Sequence, residues 1–159
     1  MDSLVEIYLD RADNEIMAAE ALKKLSEDIN SKMDFGIPEK ETFYSSVISH
    51  SYYAIFYSAK AVLLVKGIKT SPPEVHKKTY CSFRDNLVKT GFIDLKLLQI
   101  YESVFMKADI LLDIFKQERH KRGTFTYNTI PQANKEPASN SVANAKVFVS
   151  NIRKIVKQA

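Results

Sequence analysis

Ser46-Val-Ile-Ser-His-Ser-Tyr-Tyr-Ala-Ile-Phe-Tyr-Ser-Ala-Lys-Ala-Val-Leu-Leu-Val-Lys-Gly67 is the stretch whose reading decides the fold. Between Tyr52 and Val65 only Ser58 and Lys60 are clearly polar, so a helix here is apolar on almost every side. Such a helix belongs inside a bundle rather than on its surface. Ser51, Ala54, Ser58 and Ala61 recur at steps of 3, 4 and 3, a line of small residues along which another helix can approach closely. Gly67 suits the left-handed residue that ends a helix. The dense apolar part is shorter than the roughly 20 residues a bilayer crossing needs, so a core helix is expected and no membrane contact.

Outward from this helix, expected over about residues 40–66, the chain reads as helical throughout. Asp2 or Ser3 can cap a first helix reaching about Ile29, with a stripe of Leu4, Tyr8, Ala12, Ile16, Ala19, Leu22, Leu25 and Ile29. Glu6, Asp10, Asp13, Glu20 and Lys24 form its expected solvent face. Residues 34–38 read as a loop. A third helix is expected after Ser71 as cap, with Pro72 and Pro73 at its start and Val75, Thr79, Phe83 and Leu87 on one face, closed by Gly91. Asp94 caps a fourth, whose stripe is Leu98, Tyr101, Phe105, Ala108, Leu112 and Phe115. A second line, Leu97, Val104 and Leu111, repeats every seven residues; it is either a dimer seam or a face buried within one chain. After Pro137 a last helix carries Val142, Ala145, Val149, Ile152 and Val156 inward. The expectation is a single all-α domain over 1–159: five helices, four long ones in an antiparallel up-and-down bundle, pairing as a homodimer.

Four glycines among 159 residues agree with this, and the lone Cys81 rules out an intrachain disulfide and fits a reducing cytoplasm. Cys81 itself reads as a small buried residue. The start, Met1-Asp2-Ser3-Leu4, lacks a signal-peptide pattern. Charge is unevenly spread. Residues 1–45 hold 5 basic and 11 acidic side chains, whereas residues 114–159 hold 9 basic and 2 acidic. That split suits either a basic end that meets phosphate or helix-to-helix complementarity within a dimer.

The polar run Lys116-Gln-Glu-Arg-His-Lys-Arg-Gly-Thr-Phe-Thr-Tyr127 is the most suggestive for chemistry. Cations there suit a helix C-terminus, and interleaved with Phe125 and Tyr127 they also suit a nucleic acid. His50, His76 and His120 show no metal-pair spacing, so no metal is expected. With no Gly-rich phosphate loop and no nucleophile elbow, no cofactor is implied either. His50 reads as a hydrogen-bonded core histidine or a pocket residue, with Tyr53 and Tyr57 on its side of the helix.

Several residues in order carry a resemblance: Ser51-Tyr52-Tyr53-Ala54 and Gly67, His76, Phe83, Leu87-Val88-Lys89 and Gly91, then Arg122 and Tyr127, and finally Ala143-Asn144-Ala145. In these the chain resembles the HEPN family (higher eukaryotes and prokaryotes nucleotide-binding domain) over about residues 3–157. The resemblance implies a helical bundle, frequently a homodimer. Some members are metal-independent ribonucleases, and others are toxins paired with a small nucleotidyltransferase. The ribonuclease members carry Arg followed four to six residues later by His, but here Tyr127 stands five residues after Arg122. Phenol, with a reference pKa of about 10, is a poor base near neutrality. His120, beside Arg119, points about 100° away from it on a helix. The expectation is therefore a non-catalytic module binding nucleotide or RNA through Arg119, Lys121, Arg122, Tyr127, His50 and Tyr53. The alternatives are an endoribonuclease using Arg122, Tyr127 or His120, and a protein-interaction helper without nucleotide ligand.

Overall fold

The computed structural model describes residues 2–112 and 134–159. Six helices are found among these: α1 (Ser3–Glu27), α2 (Ile29–Asp34), α3 (Tyr44–Val65), α4 (Val75–Ser82, continued by a π-helical segment, Phe83–Val88), α5 (Leu95–Leu112) and α6 (Lys135–Gln158). There is no strand among the described residues. Helix α3 lies at the centre and packs against α1, α4, α5 and α6. Its line of small residues, Ser51, Ala54, Ser58 and Ala61, is wholly buried. The two serines satisfy their hydroxyls on carbonyls of the same helix, Ser51 on Val47 and Ser58 on Ile55. A buried hydroxyl therefore costs little here.

Contacts between α1 and α3 fix their direction. Tyr8 meets Lys60, Arg11 meets Tyr57, Glu15 meets His50 and Ser26 meets Phe43, so one helix climbs as the other descends. Helix α6 also runs against α1, through Asp13–Arg153, Glu20–Lys146 at 2.8 Å and Glu27–Lys135 at 3.9 Å. The acidic first helix thus meets basic side chains of the last one within one chain. Glu6, Asp10, Glu20 and Lys24 of the expected solvent face are exposed, and Asp13 is half-buried; from that face Asp13 and Glu20 reach across to α6. Half-exposed pairs of this kind contribute little stability and serve chiefly to set register.

The ends of the helices follow local chemistry. The Asp2 carboxylate accepts from the Leu4 amide at 2.8 Å, and Asp94 accepts from Lys96 at 2.8 Å. Gly67 has φ 74 and Gly91 φ 80, the left-handed geometry expected after α3 and after the π segment. Helix α3 begins at Tyr44 rather than near residue 40, α6 begins at Lys135 rather than after Pro137, and two further boundaries differ from expectation. Asp28 leaves the helical region and caps a separate short helix, accepting from the Ser31 amide at 3.0 Å, so α1 ends at Glu27 and α2 is additional. Ser71 does not cap α4. The residue before a proline is disfavoured in the α region, so Ser71 and Pro72 stay out of the helix, which begins at Val75 after Glu74.

The core stripe of α1 also differs. Val5 and Leu9 are buried with Ala12 and Ala19, whereas Ile29 is exposed. On α5 both expected lines turn inward: Leu98, Tyr101, Phe105 and Ala108 are buried, and so are Leu97 and Val104. The second line is thus covered within one chain and supplies no dimer seam at these two positions; Leu111, Leu112 and Phe115 lie outside the residues whose side chains are described. Cys81 is half-buried rather than buried. No described helix is long and apolar enough to cross a membrane.

Candidate functional site

Of the residues expected to bind nucleotide or RNA, Arg119, Lys121, Arg122 and Tyr127 lie outside the described residues, as does His120, the further candidate of the endoribonuclease alternative. His50 and Tyr53 are described, and the fold brings them into one polar, aromatic patch. On α3, His50, Tyr53, Tyr57 and Lys60 recur at steps of 3, 4 and 3 and so share one edge of the helix. Tyr8, Arg11 and Glu15 of α1 lie along the same edge.

The contacts interlock along this seam. His50 Nδ1 is 2.5 Å from Glu15 Oε2, with side chains 36% and 15% exposed. The carboxylate orients the imidazole and leaves Nε2 as its other polar atom. Arg11 donates to the Tyr57 hydroxyl at 2.9 Å, and its guanidinium lies 4.7 Å from that ring's centroid. Tyr8 stacks on Tyr57 at 6.3 Å, and Tyr53 meets Tyr57 at 6.4 Å. The ammonium of Lys60 lies 5.1 Å above Tyr8 and 5.6 Å above Phe56. Burial, then the neighbouring Tyr57 and Glu15, push the Tyr53 phenol up, so it stays protonated near neutrality.

Two residues that the site expectation omitted belong here. His76 of α4 lies against Phe56 at 4.4 Å and against Tyr53 at 6.0 Å, and its Nδ1 is 2.7 Å from the Tyr52 hydroxyl. Burial pushes Tyr52 well up; Tyr101, Tyr53 and Asp109 add to the effect. Asp109 is itself buried on α5, so the last described part of that helix comes close to the patch. No local motif marks His76, since it reaches the patch only when α4 folds back over α3. Among the described residues no three His, Cys, Asp or Glu side chains gather into a metal-binding group.

The Tyr52–His76 pair gives a pH dependence with a definite sign. Burial and then Lys60 lower the His76 pKa below its ordinary 6.5, which favours the neutral ring hydrogen-bonded to the Tyr52 hydroxyl. The unfolded chain therefore takes up this proton at higher pH than the folded one. The contribution is full above the unfolded value and is lost as pH falls through it towards the lower folded value. Denaturant midpoints should accordingly start to drop as pH falls through about 6.5 and go on dropping below it. His76→Phe should flatten that drop; an equal drop in the variant would assign the effect to other groups.

Fold and patch define an all-α bundle whose polar seam is lined by aromatic rings. A family model described as HEPN domain matches residues 37–155. The chain belongs to the HEPN family. It is 30% identical over 115 residues to a protein of Methanocaldococcus jannaschii named "Putative toxin", covering 72% of each chain. A second protein of that name from the same organism is 25% identical over 112 residues, 70% of this chain and 65% of its own. A UPF0332 protein of Thermotoga maritima is 27% identical over 112 residues, 70% of this chain and 72% of its own.

Proposed function

We propose that this chain is a toxin-like HEPN module that binds a nucleotide or RNA, acts as a homodimer without cleaving its ligand, and works with a small nucleotidyltransferase partner. The observation that carries the reading is how the charge is used. Carboxylates of α1 engage Lys135, Lys146 and Arg153 of α6. The run from Lys116 to Arg122 has four cations and only Glu118 against them. A run in which cations outnumber carboxylates four to one suits phosphate, and guanidinium suits it best. The relatives' printed names favour the toxin-like setting. Arg119, Lys121, Arg122 and Tyr127 would grip the ligand, with His50 and Tyr53 adding ring and imidazole contacts.

The experiment is a titration of labelled RNA with the purified chain in chelator at several salt concentrations. Affinity should fall steeply with salt, and the double variant Arg119→Ala/Arg122→Ala should bind roughly tenfold less well or worse. Unchanged affinity in the double variant would discard the assignment. The ribonuclease reading keeps one supporting observation, the His50 ring oriented by Glu15, since a carboxylate that orients an imidazole is a recurring feature of proton-transfer sites. RNA cleavage in the same tubes, abolished by Arg122→Ala, would establish it instead. A single sedimenting species of monomer mass would rule out the dimer.

A further inference from the structure

We propose that a small cavity between the first turns of α1 and the loop after α3 binds the phosphoryl group of a phosphomonoester. The residues that line it lie far from the Arg119–Tyr127 run in sequence, and the inference does not depend on the function proposed above. The cavity measures about 160 Å3. Leu4, Leu64 and Ile68 form its apolar wall; Tyr8, Lys60 and Lys69 line it together with Thr70 and Ser71. None of the lining residues is acidic.

The polar groups are arranged for an anion. Lys60 is half-buried between the Tyr8 and Phe56 rings, and its ammonium donates to the Thr70 carbonyl at 3.2 Å. An ammonium has three N–H donors, so two remain for a ligand. Among the described residues neither Lys60 nor Lys69 has a carboxylate within ion-pair distance. The amides of Lys69, Thr70 and Ser71 likewise have no acceptor among the described residues. Behind the loop, Lys78 donates to the Ser71 carbonyl at 3.3 Å and adds a further positive charge.

Negative groups close by are already engaged. Asp2 is held by the Leu4 amide at 2.8 Å. At the end of α3 the Leu63 carbonyl accepts from Lys66 and Ile68, and the Leu64 carbonyl accepts from Gly67. The first turn of α1 reaches the cavity through Leu4, but its amide is already capped by Asp2, so the positive charge offered to a ligand comes from Lys60 and Lys69. A cavity this size lies below the roughly 300 Å3 at which pockets for drug-sized ligands begin. It admits an anionic head, with the rest of the molecule passing out beside exposed Lys69.

The test titrates the full chain with inorganic phosphate, adenosine 5′-monophosphate and adenosine, following the amide signals of Lys69, Thr70 and Ser71. Saturable shifts are expected with the first two and none with adenosine. Tighter binding of the monophosphate would identify a nucleotide as the source, and equal binding free phosphate. Lys69→Ala, at an exposed position, should weaken binding roughly tenfold. Leu64→Phe, which fills the cavity without changing charge, should weaken it as well, whereas Arg119→Ala/Arg122→Ala should leave it intact. No saturable shift in the parent chain overturns the proposal. So does loss confined to the Arg variant, or loss in Lys69→Ala with full binding in a folded Leu64→Phe, which would mean diffuse surface attraction.

Discussion

Phe148→Ala should destabilise the chain by about 3–5 kcal/mol, lowering its thermal midpoint by about 6–20 °C. Phe148 is 0% exposed and stands where three elements meet. Its ring is 5.5 Å from Phe83 in the π segment and 5.7 Å, edge-on, from Tyr101 in α5. Truncation removes both aromatic contacts and leaves a hole that rigid helices cannot close. Phe148→Leu keeps most of the volume and should cost about 1.5 kcal/mol or less. The adjoining Tyr101 hydroxyl is buried without a hydrogen-bond partner among the described residues. Tyr101→Phe should therefore leave stability unchanged or raise it, because deleting an unsatisfied polar atom loses no bond. Chemical denaturation of the three variants checks this, and a Phe148→Ala midpoint within error of the parent would contradict the packing described.

Leu9→Ala should cost about 2–5 kcal/mol, while Ile29→Ala should change stability by less than about 0.5 kcal/mol. Leu9 is 1% exposed and Ile29 is 48% exposed. The backbone carbonyl of Leu9 also accepts from Arg153 at 3.4 Å, which places this turn of α1 directly beside α6. Periodicity alone predicts the reverse ranking, so the pair of variants separates the two directly. Equal losses at both positions would mean that α1 packs through the stripe read from its sequence.

Those two positions show where periodicity stops being informative. Hydrophobic residues at steps of three and four define a helix without deciding which of two adjacent stripes is buried. Ala12 and Ala19 of the expected stripe are buried, but Leu4 and Tyr8 lie beside Val5 and Leu9, and a small rotation of α1 exchanges them. Rotation is set by neighbours, here Arg153, Lys146 and the Tyr57–Lys60 edge of α3. Phe148 escaped the α6 stripe for the same reason, since α6 packs against α3, α1 and α5, and its apolar arc is wider than one line. On α5, both heptad lines were visible, but only packing shows that Leu97 and Val104 are enclosed within the chain.

Of the candidate site, His50 and Tyr53 were legible because α3 is regular and their spacing places them on one edge. His76 was not, because its place depends on a loop that returns α4 to α3, and loop direction is not encoded by periodic residues. The partner of His50, Glu15, was hidden likewise: sequence separation of 35 residues carries no local signal.

The sequence by itself determined the helical class, the central position of α3, the glycine and aspartate caps, and the segregation of charge, since each follows from neighbours along the chain. Tertiary structure alone decided which face of α1 is buried, that α6 cations meet α1 carboxylates, and that two histidines join one aromatic seam. Those outcomes depend on contacts between distant segments, whose free energies add only once the bundle has closed.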